Sequence, residues 1–219
     1  IMKKIPKSLN NIPIVDAIIE VRFTAEVDAN AAFGLIYSKI QNLFPGTIQS
    51  LPVSQMPMAL VENDVNLKFR PHFRIDGENC ALQIGPHMIS IVSTIPYIGW
   101  EKMYSTFSDI IDESISLLGK INRLGLRYVN FFDGDVSDKV NIEFNIADND
   151  CKDYLIQAEL EKSGLSCRLQ YTANATYNRP NGENATGTVL DIDTSKVFTD
   201  SCTKEDVLEV LEKAHIEEK

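Results

Sequence analysis

The sequence predicts an α+β protein: long antiparallel strands with helices packed on one face of the sheet. Two observations carry the prediction. Apolar and polar residues alternate with a period of two through Asp16–Val27, Arg123–Phe132 and Leu165–Tyr177, the pattern of strands buried on one side only. Trp100, the single tryptophan, opens a segment whose apolar positions Met103, Tyr104, Phe107, Ile110, Ile111, Ile115 and Leu118 follow helical spacing. The element order is strand, helix, strands, helix, then strands, helix. It suggests two related halves, 14–120 and 121–216, inside one compact unit spanning 1–219.

Residues up to Pro13 read as an irregular arm, and Ile1, which precedes Met2, is expected to be foreign to the natural start. In the first strand Ala17, Ile19, Val21, Phe23, Ala25 and Val27 share one side; Asp16, Glu20, Arg22, Thr24 and Glu26 share the other. Asp28 then caps a helix with apolar positions Ala32, Phe33, Ile36, Ile40 and Leu43, stopped by Pro45-Gly46. Met58–Val61 and Asn66–Ile75 read as two strands around Glu62-Asn63-Asp64; Pro71 inside the second marks it as an edge. The turn 76–79 begins Asp-Gly and joins a strand over Cys80–Ile84. Ile89, Ile91, Val92 and Ile95 form the next strand, broken by Pro96 and Gly99. Trp100 starts the helix and is expected to be largely buried; Gly119 ends it.

Beyond it, Leu124, Leu126, Tyr128 and Phe132 face one side of a strand, with Tyr128 and Phe132 read as core. Val140, Ile142, Phe144 and Ile146 alternate next, then Tyr154, Ile156, Ala158 and Leu160. After Lys162-Ser163-Gly164, one continuous alternation runs from Leu165 to Tyr177. Arg179–Glu183 is a loop, Gly187–Thr194 a strand, and Thr203 with Asp206 three residues on caps a last helix buried through Val207, Val210, Leu211 and Ala214.

Composition is that of an ordinary globular chain, 44% hydrophobic and 24% charged, and no apolar run approaches a membrane span. Cys80, Cys151, Cys167 and Cys202 are dispersed without a CxxC, so free thiols in a reducing, cytoplasmic setting are expected rather than disulfides or zinc. The first 99 residues hold eight Asp/Glu and eight Lys/Arg; the remaining 23 acids and 13 bases carry the whole net charge of −10. That excess repels phosphate backbones and anionic membranes, excludes nucleic acid and membrane as partners, and suits a basic protein.

Several groupings are candidate sites. Asp191 and Asp193 in VLDIDT share a strand face, a spacing open to a hard metal or acid–base work, but also that of a solvent-facing polar stripe. Asp148, Asp150 and Glu159 fall at first, third and twelfth positions of a calcium loop, yet Asp153 stands where the loop requires glycine. Lys68, Arg70, His72 and Arg74 form a basic stripe suited to an anion, or to pairing with Glu20 or Glu26; His87, at a turn, joins Arg70, His72 and Arg74 as a ligand candidate. Between residues 133 and 161 nine acids face only Lys139 and Lys152. Asp133, Asp135, Asp148, Asp150 and Asp153 are the candidate partner-binding residues. No catalytic motif, metal constellation or cofactor loop is present, and no cofactor is expected.

PYIGWEKM, then RLGLRYVNFF after one helix, and later VLDIDT and LEKAH, resemble a sporadically distributed prokaryotic family, with the likeness running from VDAIIEVRF to the last helix. The resemblance implies a cytoplasmic bacterial or archaeal protein, no catalytic residues to carry over, and a further helical stretch beyond Lys219. The expected function is non-catalytic binding of another, basic protein, in an inhibitor, immunity or antitoxin-like role. The alternative is a small-ligand binder or enzyme with a cavity between sheet and helices. A homodimer joined at sheet edges is the third expectation.

Overall fold

Alternation at Ile14–Thr24 produces the central strand, β1: Ala17, Ile19, Val21 and Phe23 are sealed in the core while Ile18, Glu20 and Arg22 on the reverse side keep partial exposure. The structure, a computed structural model, describes residues 12–78, 80–140 and 153–218. α1 (Ala29–Ile40), β2 (Ile48–Ser50), α2 (Met58–Asn63), β3 (Phe73–Asp76), β4 (Ala81–Gly85), β5 (Met88–Ser93) and α3 (Trp100–Leu118) complete the first half. β6 (Lys120–Asp133), β7 (Leu155–Lys162), β8 (Leu165–Asn178), β9 (Asn184–Val197) and α4 (Lys204–Glu217) form the second. The strands make one antiparallel sheet in the order β2-β3-β4-β5-β1-β6-β9-β8-β7.

Read outward from the β1–β6 pair, that order is the same in both directions: β5, β4, β3 on one side and β9, β8, β7 on the other. Each half lays down a central strand, returns from the periphery inward through hairpins, and closes with a helix, α3 or α4. The halves differ after the central strand. α1 follows β1 and packs on β4, whereas among the described residues β6 is followed by a single short 3-10 turn, Ser137–Lys139.

The core lies between the sheet and three helices. α1 supplies Ile36 and Ile40, α3 supplies Met103, Phe107, Ile110 and Ile111, and α4 supplies Val207 and Leu211, all packed on Ile19, Val21, Ile84, Ile91, Leu124 and Leu126. α3 ends at Gly119, whose φ of +62° a side chain would resist. α4 begins with the predicted capping box: Thr203 accepts from the Asp206 N–H while the Asp206 carboxylate accepts from the Thr203 N–H.

Several expectations are corrected. Met58–Val61 is helical, not a strand, because Pro57 sets up the first turn and the Leu60 and Val61 amides bond back to its carbonyl. Residues 64–70 form consecutive turns, tied by the Asp64 carboxylate to the Asn66 N–H, so the edge strand shrinks to Phe73–Asp76. This excursion lies on the face opposite the three long helices: the Arg22 guanidinium sits 4.7 Å over the Phe69 ring. Leu43 is exposed and Phe44 takes its place in the core. Trp100 is only half-buried, stacked at 3.8 Å on His215. Phe132 is half-buried, and its neighbour Phe131 is the one covered, against Tyr177 on the reverse face. The single alternation expected through β8 is broken. Thr172 pairs with Val189 but Ala175 with Gly187, so β8 carries one extra residue there, with Asn174 at a φ of +54°. The bulge turns Ala175 and Tyr177 to the opposite face from Cys167, Leu169 and Tyr171. The expected strand over Val140–Ile146 lies almost wholly outside the described residues.

Candidate functional site

The reverse face of the sheet carries a ladder of opposite charges. Register places Glu20 and Arg22 on β1, Arg123 and Arg127 on β6, and Asp191 and Asp193 on β9 on the same side. Arg22 donates to Glu20 at 2.6 Å, Arg123 bridges Glu20 at 3.2 Å and Asp193 at 3.0 Å, and Arg127 grips Asp191 through both carboxylate oxygens at 2.8 and 2.6 Å. The two aspartates are therefore each held by an arginine, which removes them as a free metal or acid–base pair. Asp16 closes the ladder; burial raises its carboxyl above the usual range, against the attraction of Arg127 and Arg74.

The basic stripe does not exist as one surface. Lys68 meets Glu62 at 3.7 Å, the Arg70 Nε bonds the Asn66 carbonyl, and Arg74 pairs with Asp76 at 2.7 Å; Glu20 is taken by arginines of its own and neighbouring strands. The turns at 64–70 destroy the alternation that would have aligned them. His72 is buried with its Nε2 unpartnered, and desolvation lowers its pKa. His87 does find a partner, its Nε2 lying 2.7 Å from Glu62, which pins α2 to the β4–β5 turn. A shallow cleft of about 190 Å³ opens beside Arg74, Asp76, Cys80, Thr94 and Pro96. Among the described residues no three His, Cys, Asp or Glu side chains gather in a way that could hold a metal ion. Glu159, mid-strand in β7 and facing Arg168 at 3.4 Å, cannot close a calcium loop; Asp148 and Asp150 lie outside the described residues.

Three of the five acidic candidates, Asp133, Asp135 and Asp153, come to one end of the sheet, with Asp138 beside them. β6 ends at Asp133, β9 starts opposite it, β8 ends beside β9, and β7 begins next to the β8 bulge, so Asp133, Asp135, Asp138 and Asp153 share one end of the sheet. The fold also brings a cation that sequence distance hid, Arg179, which pairs with Asp133; Lys139 pairs with its chain neighbour Asp138 at 3.0 Å. Asp135 accepts from the Ser137 N–H at 2.8 Å, which lowers its pKa, and Asp153 accepts from the Asn174 amide. All four stay exposed.

Under α4 lies a polar seam that periodicity did not reveal. The Tyr97 and Tyr128 hydroxyls are 3.3 Å apart, and Tyr128 also meets His215 Nδ1 at 3.2 Å. Glu218 accepts from the Thr194 N–H at 3.1 Å while its other oxygen is buried without a partner. Burial, foremost, and then the carboxylates of Asp193 and Asp191 push its carboxyl up to about 8. His215 was readable only as the residue after Ala214 on a stripe of 3.6 spacing; nothing local marks its ring as a partner of Trp100 and Tyr128.

Among the described residues no helix is long and apolar enough to cross a membrane. No protein-family model matches the chain, and no curated protein matches it.

Proposed function

We propose that the protein acts by non-catalytic binding of another protein with a basic surface, in the manner of an inhibitor, immunity protein or antitoxin in a prokaryotic cytoplasm. The carrying observation is the convergence of Asp133, Asp135, Asp138 and Asp153 on one exposed end of the sheet. Arg179 and Lys139 offset part of that charge, and the remainder would steer a basic partner.

Charge reversal at Asp135 and Asp153 should slow association with a basic partner by about tenfold at low salt and flatten its salt dependence. The same change at Glu205 and Glu209 on α4 should have little effect. An on-rate indifferent to salt and to the first pair refutes the reading. The alternative is a small-ligand binder or enzyme using a cavity between sheet and helices; the cleft beside Arg74 and Cys80, of about 190 Å³, is smaller than the roughly 300–1,000 Å³ typical of ligand pockets.

A further inference from the structure

Residues 51–72 leave the sheet between β2 and β3 and return to it as a closed loop. The Leu51 N–H donates to the His72 carbonyl at 2.8 Å and the His72 N–H to the Ile84 carbonyl at 2.9 Å, so the neck is tied off on β4. Little holds the body of the loop down. Of its residues only Val61 and His72 are buried. The 3-10 turn Pro52–Gln55 has no buried residue, and α2 is six residues long, too short to persist away from the sheet. The body rests on the β4–β5 turn and the end of β1 through a few contacts. Glu62 lies 2.7 Å from His87 Nε2, and the Phe69 ring stands edge-on to His87 beneath the Arg22 guanidinium. The Arg70 carbonyl approaches Gly85 so closely that a Cβ there would lie 2.6 Å from it. A segment held this sparsely opens locally at a fraction of the cost of global unfolding.

We propose that residues 51–72 form a flap that opens in mild acid, released when His72 takes a proton that no carboxylate remains to balance. The flap lies in the first half of the chain and is independent of the binding function above. His72 is 5% exposed with its Nε2 buried and unpartnered, and the Nδ1 of His87 is buried and unpartnered as well. Charged groups face this pair from each packed element. α2 supplies Glu62, and the β4–β5 turn supplies His87. The turns at 64–70 supply Lys68, 3.7 Å from the other oxygen of Glu62, and β1 supplies Arg22, already held by Glu20. Asp64 and Arg70 are engaged within the loop, on the N–H and the carbonyl of Asn66. Among the described residues, Glu62 is thus one carboxylate set against two imidazoles and an ammonium. A proton on His87 is matched by it; a second proton, on His72, is not. Burial, foremost, lowers the His72 pKa from its ordinary 6.5; Glu62 works against that and His87 adds to it. On the open flap the ring returns to water and to its ordinary value, so the open form binds the proton more tightly. Closure is fully favoured above about pH 6.5 and weakens as pH falls below it. The opening constant rises by up to about tenfold per pH unit until His72 titrates in the closed form too. Opening bares Val61 and frees Phe69 and the β4–β5 turn.

The test is amide hydrogen exchange on the intact chain, read by mass spectrometry and corrected for the intrinsic effect of pH. From about pH 7.5 to about pH 5.5, protection across 51–72 should fall by about three- to tenfold while α3 loses none. The fold as a whole moves the other way over this range, because Glu218 keeps its proton up to about 8, so general loosening in acid does not produce the pattern. His72→Gln should flatten the dependence; His87→Gln, which keeps a donor toward Glu62, should preserve it. NMR titration of the imidazoles in the parent, assigned through the backbone, needs no variant: the His72 ring should titrate below 6.5. Protection across 51–72 that is constant or rises toward acid overturns the proposal, as does a pH dependence that survives in His72→Gln or a His72 ring titrating at or above 6.5. A dependence lost in His87→Gln and kept in His72→Gln would place the trigger at the Glu62–His87 contact and also overturn it.

Discussion

Glu218 should make the fold weaken as pH rises through neutrality. In the unfolded chain its carboxyl titrates near the ordinary value of 4.5; in the fold it is pushed up to about 8 by burial and by Asp193 and Asp191. The folded state therefore holds a proton that the unfolded state releases. The contribution is fully present below about pH 4.5 and is lost progressively as pH climbs to about 8. At about 1.4 kcal/mol per pH unit, the span corresponds to about 5 kcal/mol, a large share of a domain's stability. Glu218→Gln imitates the neutral side chain, still accepts from the Thr194 N–H, and should remove this component of the pH dependence. Urea unfolding from pH 5 to pH 9 measures both. The parent should lose stability across the range by several kcal/mol more than the glutamine variant. Equal slopes for the two proteins would refute the argument and place the Glu218 carboxyl in water.

Trp100→Ala should cost about 2–3 kcal/mol by thermal or urea unfolding, since the ring is half-buried and loses its stack on His215; an unchanged curve would contradict that contact. Arg123→Ala leaves Glu20 and Asp193 facing each other without their shared cation and should cost about 1–3 kcal/mol, with partial recovery on adding Glu20→Gln. Gly187→Ala should destabilise strongly, because a Cβ there would lie 2.0 Å from the Phe132 carbonyl oxygen on the neighbouring strand; a melting temperature within a degree or so of the parent would disprove that close approach.

Local pattern was enough for much of this protein. Period-two alternation located β1, β6 and β7, and helical spacing with Gly119 and the Thr203–Asp206 box bounded α3 and α4, because burial on one side imposes a periodicity that local residues display. Alternation failed where turn chemistry or a bulge intervened. Asp64 and Pro71 broke the stripe from Lys68 to Arg74, and one extra residue near Asn174 reversed the facing of Tyr177. The acidic run was visible, but its partner cation Arg179 sits 46 residues from Asp133 and is delivered by the pairing of β8 with β9 and β9 with β6. Likewise Asp191 and Asp193 looked free until register set them beside Arg127 and Arg123. Sequence thus determined which residues want to be buried and which segments are regular. Only the tertiary structure decided which charges cancel, which tyrosine meets which histidine, and that α1 roofs β3 and β4, because those outcomes depend on strand order, and strand order is set by contacts far apart in the chain.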